Sequence, residues 1–165
     1  MGKTVLTAEN MTLTTGIRGL AIISTAAAGS LAAHCRITRV EISQRGTTTL
    51  QQIGGAFSTR TGSTVTATAT TPANVRPLGG PVSGLSGNTA PAGAAGRSGT
   101  NMSVDTTPTY VDHHYFNFAN LNGYIFKPDP EEELIVPAST IWVVRLLADP
   151  TTLSGWTVSV WITEI

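Results

Sequence analysis

The stretch Trp156-Thr-Val-Ser-Val-Trp-Ile-Thr-Glu164 alternates apolar and polar residues strictly enough to fix its conformation. Successive side chains of a strand point to opposite faces. Trp156, Val158, Val160 and Ile162 therefore share one face, and Thr157, Ser159 and Thr163 share the other. One face belongs to a core and the other to solvent. Trp161 interrupts the polar face and is expected to meet a neighbouring loop or subunit. Just before it, Thr140-Ile-Trp-Val-Val-Arg-Leu-Leu147 is apolar on both faces, as in a central strand covered on both sides. Asp149-Pro-Thr-Thr-Leu-Ser-Gly155 is the turn that joins the two.

The same period recurs along the chain, and helical periodicity is scarce. Strands are expected at His113–Phe118, at Gly123–Lys127 after the Asn120-Leu-Asn-Gly123 turn, and at Glu133–Val136. Pro128, Pro130 and Pro137 punctuate them, because proline cannot donate to a ladder. The first half places strands near 3–14, 19–25, 34–44 and 49–59, with a possible edge strand over Thr61–Thr71. In the third of these the apolar parity shifts between Cys35/Ile37 and Val40/Ile42, which predicts a β-bulge. About eight short strands separated by turns read as an all-β, two-sheet antiparallel sandwich of the jelly-roll kind. The expected organisation is a single domain over 1–165, in which 1–15 forms an N-terminal arm or strand.

Residues 72–101 break this pattern. They are Pro, Gly, Ala, Ser and Asn-rich, with no aromatic, and their large apolar side chains are Val75, Leu78, Val82 and Leu85. Four such side chains cannot offset the conformational entropy of thirty residues. The segment is expected to be an extended loop that is either disordered or ordered against a neighbouring subunit or another protein. The expected interface set is therefore Val75, Arg76, Leu78, Val82, Leu85, Arg97 and Trp161, with the Thr-rich stretch from Thr4 to Thr15 as a second contact element.

Charge narrows the choice of partners. Lys+Arg and Asp+Glu number ten each, so no net basic field draws in nucleic acid or an anionic membrane. The charged fraction of 12% is about half the ordinary value, which favours life within an assembly. The charges are nevertheless segregated: residues 1–97 carry Lys3 and seven Arg against Glu9 and Glu41, a net of +6, and residues 98–165 carry −6. The halves either interleave within one fold or attract across a subunit boundary.

The apolar run 19–33 is shorter than a spanning helix and is interrupted by Ser24, Thr25, Gly29 and Ser30. Thr-rich sequence stands where a signal peptide would place its cationic region. Synthesis in a reducing cytoplasm is expected, with Cys35 as a lone thiol.

Catalytic chemistry finds no support in the sequence, and neither a cofactor nor a metal is expected. Asp112-His113-His114 is the one tempting cluster, but adjacent strand residues face opposite ways, so the two histidines need a bulge to share an ion. Cys35 beside His34 fails as a dyad for the same reason and reads as a small buried residue. Glu131-Glu-Glu133 after Pro128-Asp-Pro130 reads as a solvated or Arg-facing turn that guards a strand edge, with calcium as the alternative.

In several places the sequence resembles the small capsid decoration, or cement, proteins of tailed bacteriophages. The residues that carry the resemblance are His114-Tyr-Phe-Asn-Phe118, Gly123-Tyr124, Pro128-Asp-Pro-Glu-Glu-Glu-Leu-Ile-Val136, Trp142-Val-Val-Arg-Leu146 and Ser154-Gly-Trp-Thr-Val-Ser-Val-Trp-Ile-Thr-Glu164. A small-residue loop after an early strand like Arg36–Gln44 belongs to the same pattern, and the resemblance covers about two thirds of the chain. It implies a β-sandwich homotrimer on the virion surface that binds the major capsid protein and reinforces the shell. Two alternatives stand beside it. One is a trimeric receptor-binding or tail-fibre tip domain, whose binding surface would be the aromatics of 110–126. The other is a cupin-like metal enzyme.

Overall fold

The computed structural model describes residues 2–13, 19–25, 34–47, 49–61, 68–69, 75–79, 97–102 and 110–165. Among them there is no helix. Twelve strands follow in order: β1 (Lys3–Met11), β2 (Gly19–Ser24), β3 (Cys35–Gln44), β4 (Gln52–Thr61), β5 (Thr68–Ala69), β6 (Val75–Gly79), β7 (Arg97–Met102), β8 (Val111–Ala119), β9 (Tyr124–Phe126), β10 (Leu134–Val136), β11 (Thr140–Leu146) and β12 (Trp156–Glu164). They form two six-stranded antiparallel sheets. Sheet I runs β10-β3-β12-β1-β6, with β9 also paired to β3, and sheet II runs β5-β7-β2-β11-β4-β8.

The chain switches sheets at each of its first three connections. Its last two strands then enter the middle of what the first four built: β12 lies between β1 and β3, and β11 between β2 and β4. With β9 and β10 beside β3 and β8 beside β4, this is the strand order of a jelly roll. β6 extends sheet I beyond β1, and β7 with β5 extends sheet II beyond β2.

The alternation read from the sequence places the core. From β12, Trp156, Val158, Val160 and Ile162 are buried between the sheets, joined by Leu6 and Ala8 of β1, Ile37, Val40 and Ile42 of β3, and Phe57, Trp142, Val144 and Leu146 of sheet II. The expected bulge is present. Arg39 pairs with Trp161 and Ile37 with Ile162, so Thr38 is the extra residue, and that insertion keeps apolar residues of both halves of β3 on the core side. β2 and β11 are buried on both faces, which explains their unbroken apolarity: Ile22, Ile141 and Val143 form a second cluster on the outer side of sheet II, with Tyr110 packed against it.

The turn before β12 is set by two glycines. Gly155 has φ +78°, and a Cβ there would lie 2.4 Å from the Gly46 nitrogen, so the two backbones touch. Leu13 N–H donates to the Leu153 carbonyl at 2.8 Å, and Trp156 Nε1 donates to the Thr152 carbonyl at 2.9 Å, fastening this end of the sandwich.

The expectation of one extended loop over 72–101 is corrected at its two ends, which are strands β6 and β7. Neither segment needs an apolar alternation of its own, because each hydrogen-bonds along a strand already in place. Residues 80–96 lie outside the described residues. Of 1–15, residues 3–11 are β1, a strand paired on both sides. Of the edge strand expected over 61–71, Thr61 ends β4 and 68–69 form β5; the remainder lies outside the described residues.

Candidate functional site: the outer face of sheet I

The two outer faces of the sandwich differ. That of sheet II buries Ile22, Ile141, Val143 and Arg60, and it holds a closed polar network. Arg145 Nη2 meets both oxygens of Asp112 at 2.8 and 2.9 Å, and its Nε donates to Ser58 Oγ at 2.9 Å. Ser58 Oγ donates to Asp112, and the Tyr115 hydroxyl donates to its other oxygen at 2.8 Å. Burial pushes the Asp112 carboxyl up, but these hydrogen bonds and the Arg145 charge outweigh it and hold the group below its ordinary value. The Tyr110 ring lies 5.3 Å from the guanidinium carbons of both Arg60 and Arg145. This network ties β4, β8 and β11 together.

On the outer face of sheet I the described residues are buried or half-buried at the centre and exposed at Lys3, Arg76, Ile125 and Ile135, and strand register orders them into three cross-strand rows, since directly paired residues share a face. The first row is Lys3, Thr163, Arg36 and Ile135. The second is Arg76, Val5, Trp161 and Arg39. The third is Thr7, Ser159, Glu41 and Ile125. Trp161 sits mid-sheet with the Arg39 guanidinium carbon 4.9 Å from its ring centre. Arg39 also pairs with Glu41, and Arg36 with Glu133 at 3.2 Å. A cleft of about 350 Å³ beside Trp161 is bounded by Lys3, Thr38, Leu78 and Glu133.

Three of the residues singled out from the sequence converge here: Arg76, Leu78 and Trp161. The route is indirect, through β6 on β1 and β1 on β12. Trp161 meets Arg39 of the adjacent strand, and Leu78, from the segment 72–101, bounds the same cleft. Val75 is in β6, with its backbone paired to Leu6. Arg97 is in β7 of the other sheet, paired with Ser24, so the structure does not bring it to this face. Val82 and Leu85 lie outside the described residues. Lys3, Val5, Arg36, Arg39 and Ile135 belong to the face and were not singled out. Strand parity could have found Arg39, but only after the bulge at Thr38 is allowed for.

The Asp-His-His cluster is dispersed. β8 does bulge at His113, opposite Phe57/Ser58, yet the ring nitrogens go to different partners. His113 Nε2 lies 2.6 Å from Thr59 Oγ1, and His114 Nε2 lies 2.7 Å from the Tyr124 hydroxyl. No three His, Cys, Asp or Glu side chains gather around a common point among the described residues. Cys35 is fully buried, and burial, with the Glu164 charge adding to it, pushes its thiol up to about 12. It stays a protonated packing residue.

The aromatics of 110–126 mostly face inward. Phe57 is the hub, with ring centres of His114, Phe116, Phe126 and Trp142 at 5.3, 5.2, 5.1 and 5.6 Å. Phe116 stacks on Tyr124 at 4.5 Å. Gly55 makes room for this plug, since a Cβ there would lie 2.2 Å from the Phe116 ring. Tyr115 remains exposed on the outer side.

Among the described residues, fold and surface together define a jelly roll whose sheet II is buried on its outer side and whose sheet I presents a partly exposed one. Comparison with family models, curated proteins and solved structures finds no match to this chain.

Proposed function

We propose that this chain is a non-catalytic structural protein of a virion, a decoration protein that binds the outside of a bacteriophage capsid lattice and stabilises it as a homotrimer. The observation that carries this reading is the outer face of sheet I, with Trp161 held between Val5 and Arg39 and flanked by Arg36 and Thr163. Protein–protein contacts draw most of their energy from Trp, Tyr and Arg side chains set in well-packed surroundings. A broad, pre-ordered sheet face suits docking on a large partner, the major capsid protein, better than it suits enclosing a small molecule. Three linked copies bind a repeating lattice with an avidity that no single contact supplies. Such a trimer spans several shell subunits and adds interface that must break before the shell can open. The inward packing of Phe116, Phe118 and Phe126 supports this reading over a receptor-binding tip built on the aromatics of 110–126.

The test is co-sedimentation of the purified protein with phage heads that lack it, with host cells run alongside. Saturable binding to heads is the expected result, weakened at least tenfold by Trp161→Ala. Binding to cells and not to heads overturns the reading in favour of a receptor-recognition module.

A further inference from the structure

Sheet I is polarised across its width. At one edge, β1 and β6 present Lys3, Arg76 and Leu78, all exposed, with Leu78 at 54%. Four strand intervals from β6 and three from β1, roughly 19 and 14 Å at ordinary sheet spacing, lies the opposite edge, formed by β9, β10 and the connection between them. It presents Asp129, Glu131 and Glu132 against Lys127, beside Ile125 and Ile135 at 63% and 58% exposure. Arg36 already pairs with Glu133 within the chain, so the outer three acids are the ones left facing outward. Each edge thus offers exposed aliphatic side chains beside a charge opposite to that of the other edge. Prolines mark both: Pro77 in β6, and Pro128 and Pro130 in the β9–β10 connection. Proline removes the donor a ladder needs, so neither edge is suited to continuous strand addition, and contact falls to the side chains.

We propose that copies of this chain meet head to tail, the Lys3/Arg76/Leu78 edge of one against the Asp129/Glu131/Glu132 and Ile125/Ile135 edge of the next. The inference rests on the homotrimer in the reading above and names the surfaces that build it. A heterologous contact of this kind closes into a ring when its rotation allows. The Coulombic part is long-ranged at low salt and screened at high salt, and the apolar part supplies the short-range fit.

The experiment is a charge exchange read by light scattering after size exclusion. The wild-type protein at low salt is expected at the mass of three chains, with at least tenfold weaker association at 0.5 M salt than at about 0.05 M. The double variants K3E/R76E and E131K/E132K each give both edges the same sign and are expected as monomers with wild-type dichroism. The quadruple variant K3E/R76E/E131K/E132K inverts both edges and is expected to restore the assembly. A wild-type monomer, an assembly indifferent to salt and to either double reversal, or a quadruple variant that stays monomeric overturns the contact. Heads that bind a wild-type assembly insensitive to the reversals overturn this contact and leave the capsid reading standing. An assembly broken and restored as expected that ignores heads overturns the capsid reading and leaves the contact standing.

Discussion

His114 shows how much one side chain can carry in a sandwich. It belongs to β8 of sheet II, yet its Nε2 lies 2.7 Å from the Tyr124 hydroxyl on β9 of sheet I, and its ring stacks 5.3 Å from Phe57. It therefore joins the two sheets where they lie open at one side. Burial holds its imidazole below the ordinary value of 6.5 and holds the Tyr124 phenol above 10.0, so the folded state favours the neutral ring. The unfolded chain takes up the proton first as pH falls through 6.5, so His114 contributes full stability above that value and loses it progressively below. Urea unfolding is expected to show lower stability at pH 5 than at pH 7, and His114→Phe is expected to reduce that difference while keeping the ring packing. An unchanged pH difference in the variant would place the acid sensitivity elsewhere.

Among the elements, β3 is the most informative. Its bulge at Thr38 lets Cys35 and Ile37 on one side, and Val40 and Ile42 on the other, all face the core, while Arg36, Arg39 and Glu41 face out. Deleting Thr38 removes the register shift and drives one half of the strand the wrong way round, burying charge or exposing the core. A loss of at least ~3 kcal/mol in denaturant unfolding is expected. Thr38→Ala keeps the backbone and gives up a single long 3.4 Å hydrogen bond to the Trp161 carbonyl, so it should cost under about 1 kcal/mol. This bulge was legible in the sequence because a strand with one buried face must keep its apolar residues on it, and a change of parity has one simple geometric cause. β6 and β7 were not legible as strands. Val75-Arg-Pro-Leu-Gly79 and Arg97-Ser-Gly-Thr-Asn-Met102 carry no two-residue apolar period, and their place depends on edges built by β1 and β2. The candidate face was legible only in part for the same reason. Trp161 stood out as an anomaly within its own strand, but its neighbours Val5 and Arg39 come from strands more than a hundred residues away.

At the scale of the molecule, the two sheets depend on β11 and β12, each flanked by strands on both sides, β11 buried along most of its length and β12 along its inner face. Hydrogen exchange is expected to be slowest at their backbone amides and faster at β5, β6 and β10, which lie at sheet edges. Fast exchange in β11 or β12 would contradict the strand order. The jelly-roll order also bears on how such a chain is made. A ribosome delivers β1 to β4 first and the strands that belong between them last, so β1 and β3, and likewise β2 and β4, emerge with a gap that nothing yet fills. Neither sheet can close until the final two strands have left the exit tunnel. This part of the chain therefore keeps open edges until β11 and β12 have emerged, which calls for holding by chaperones until then rather than folding step by step.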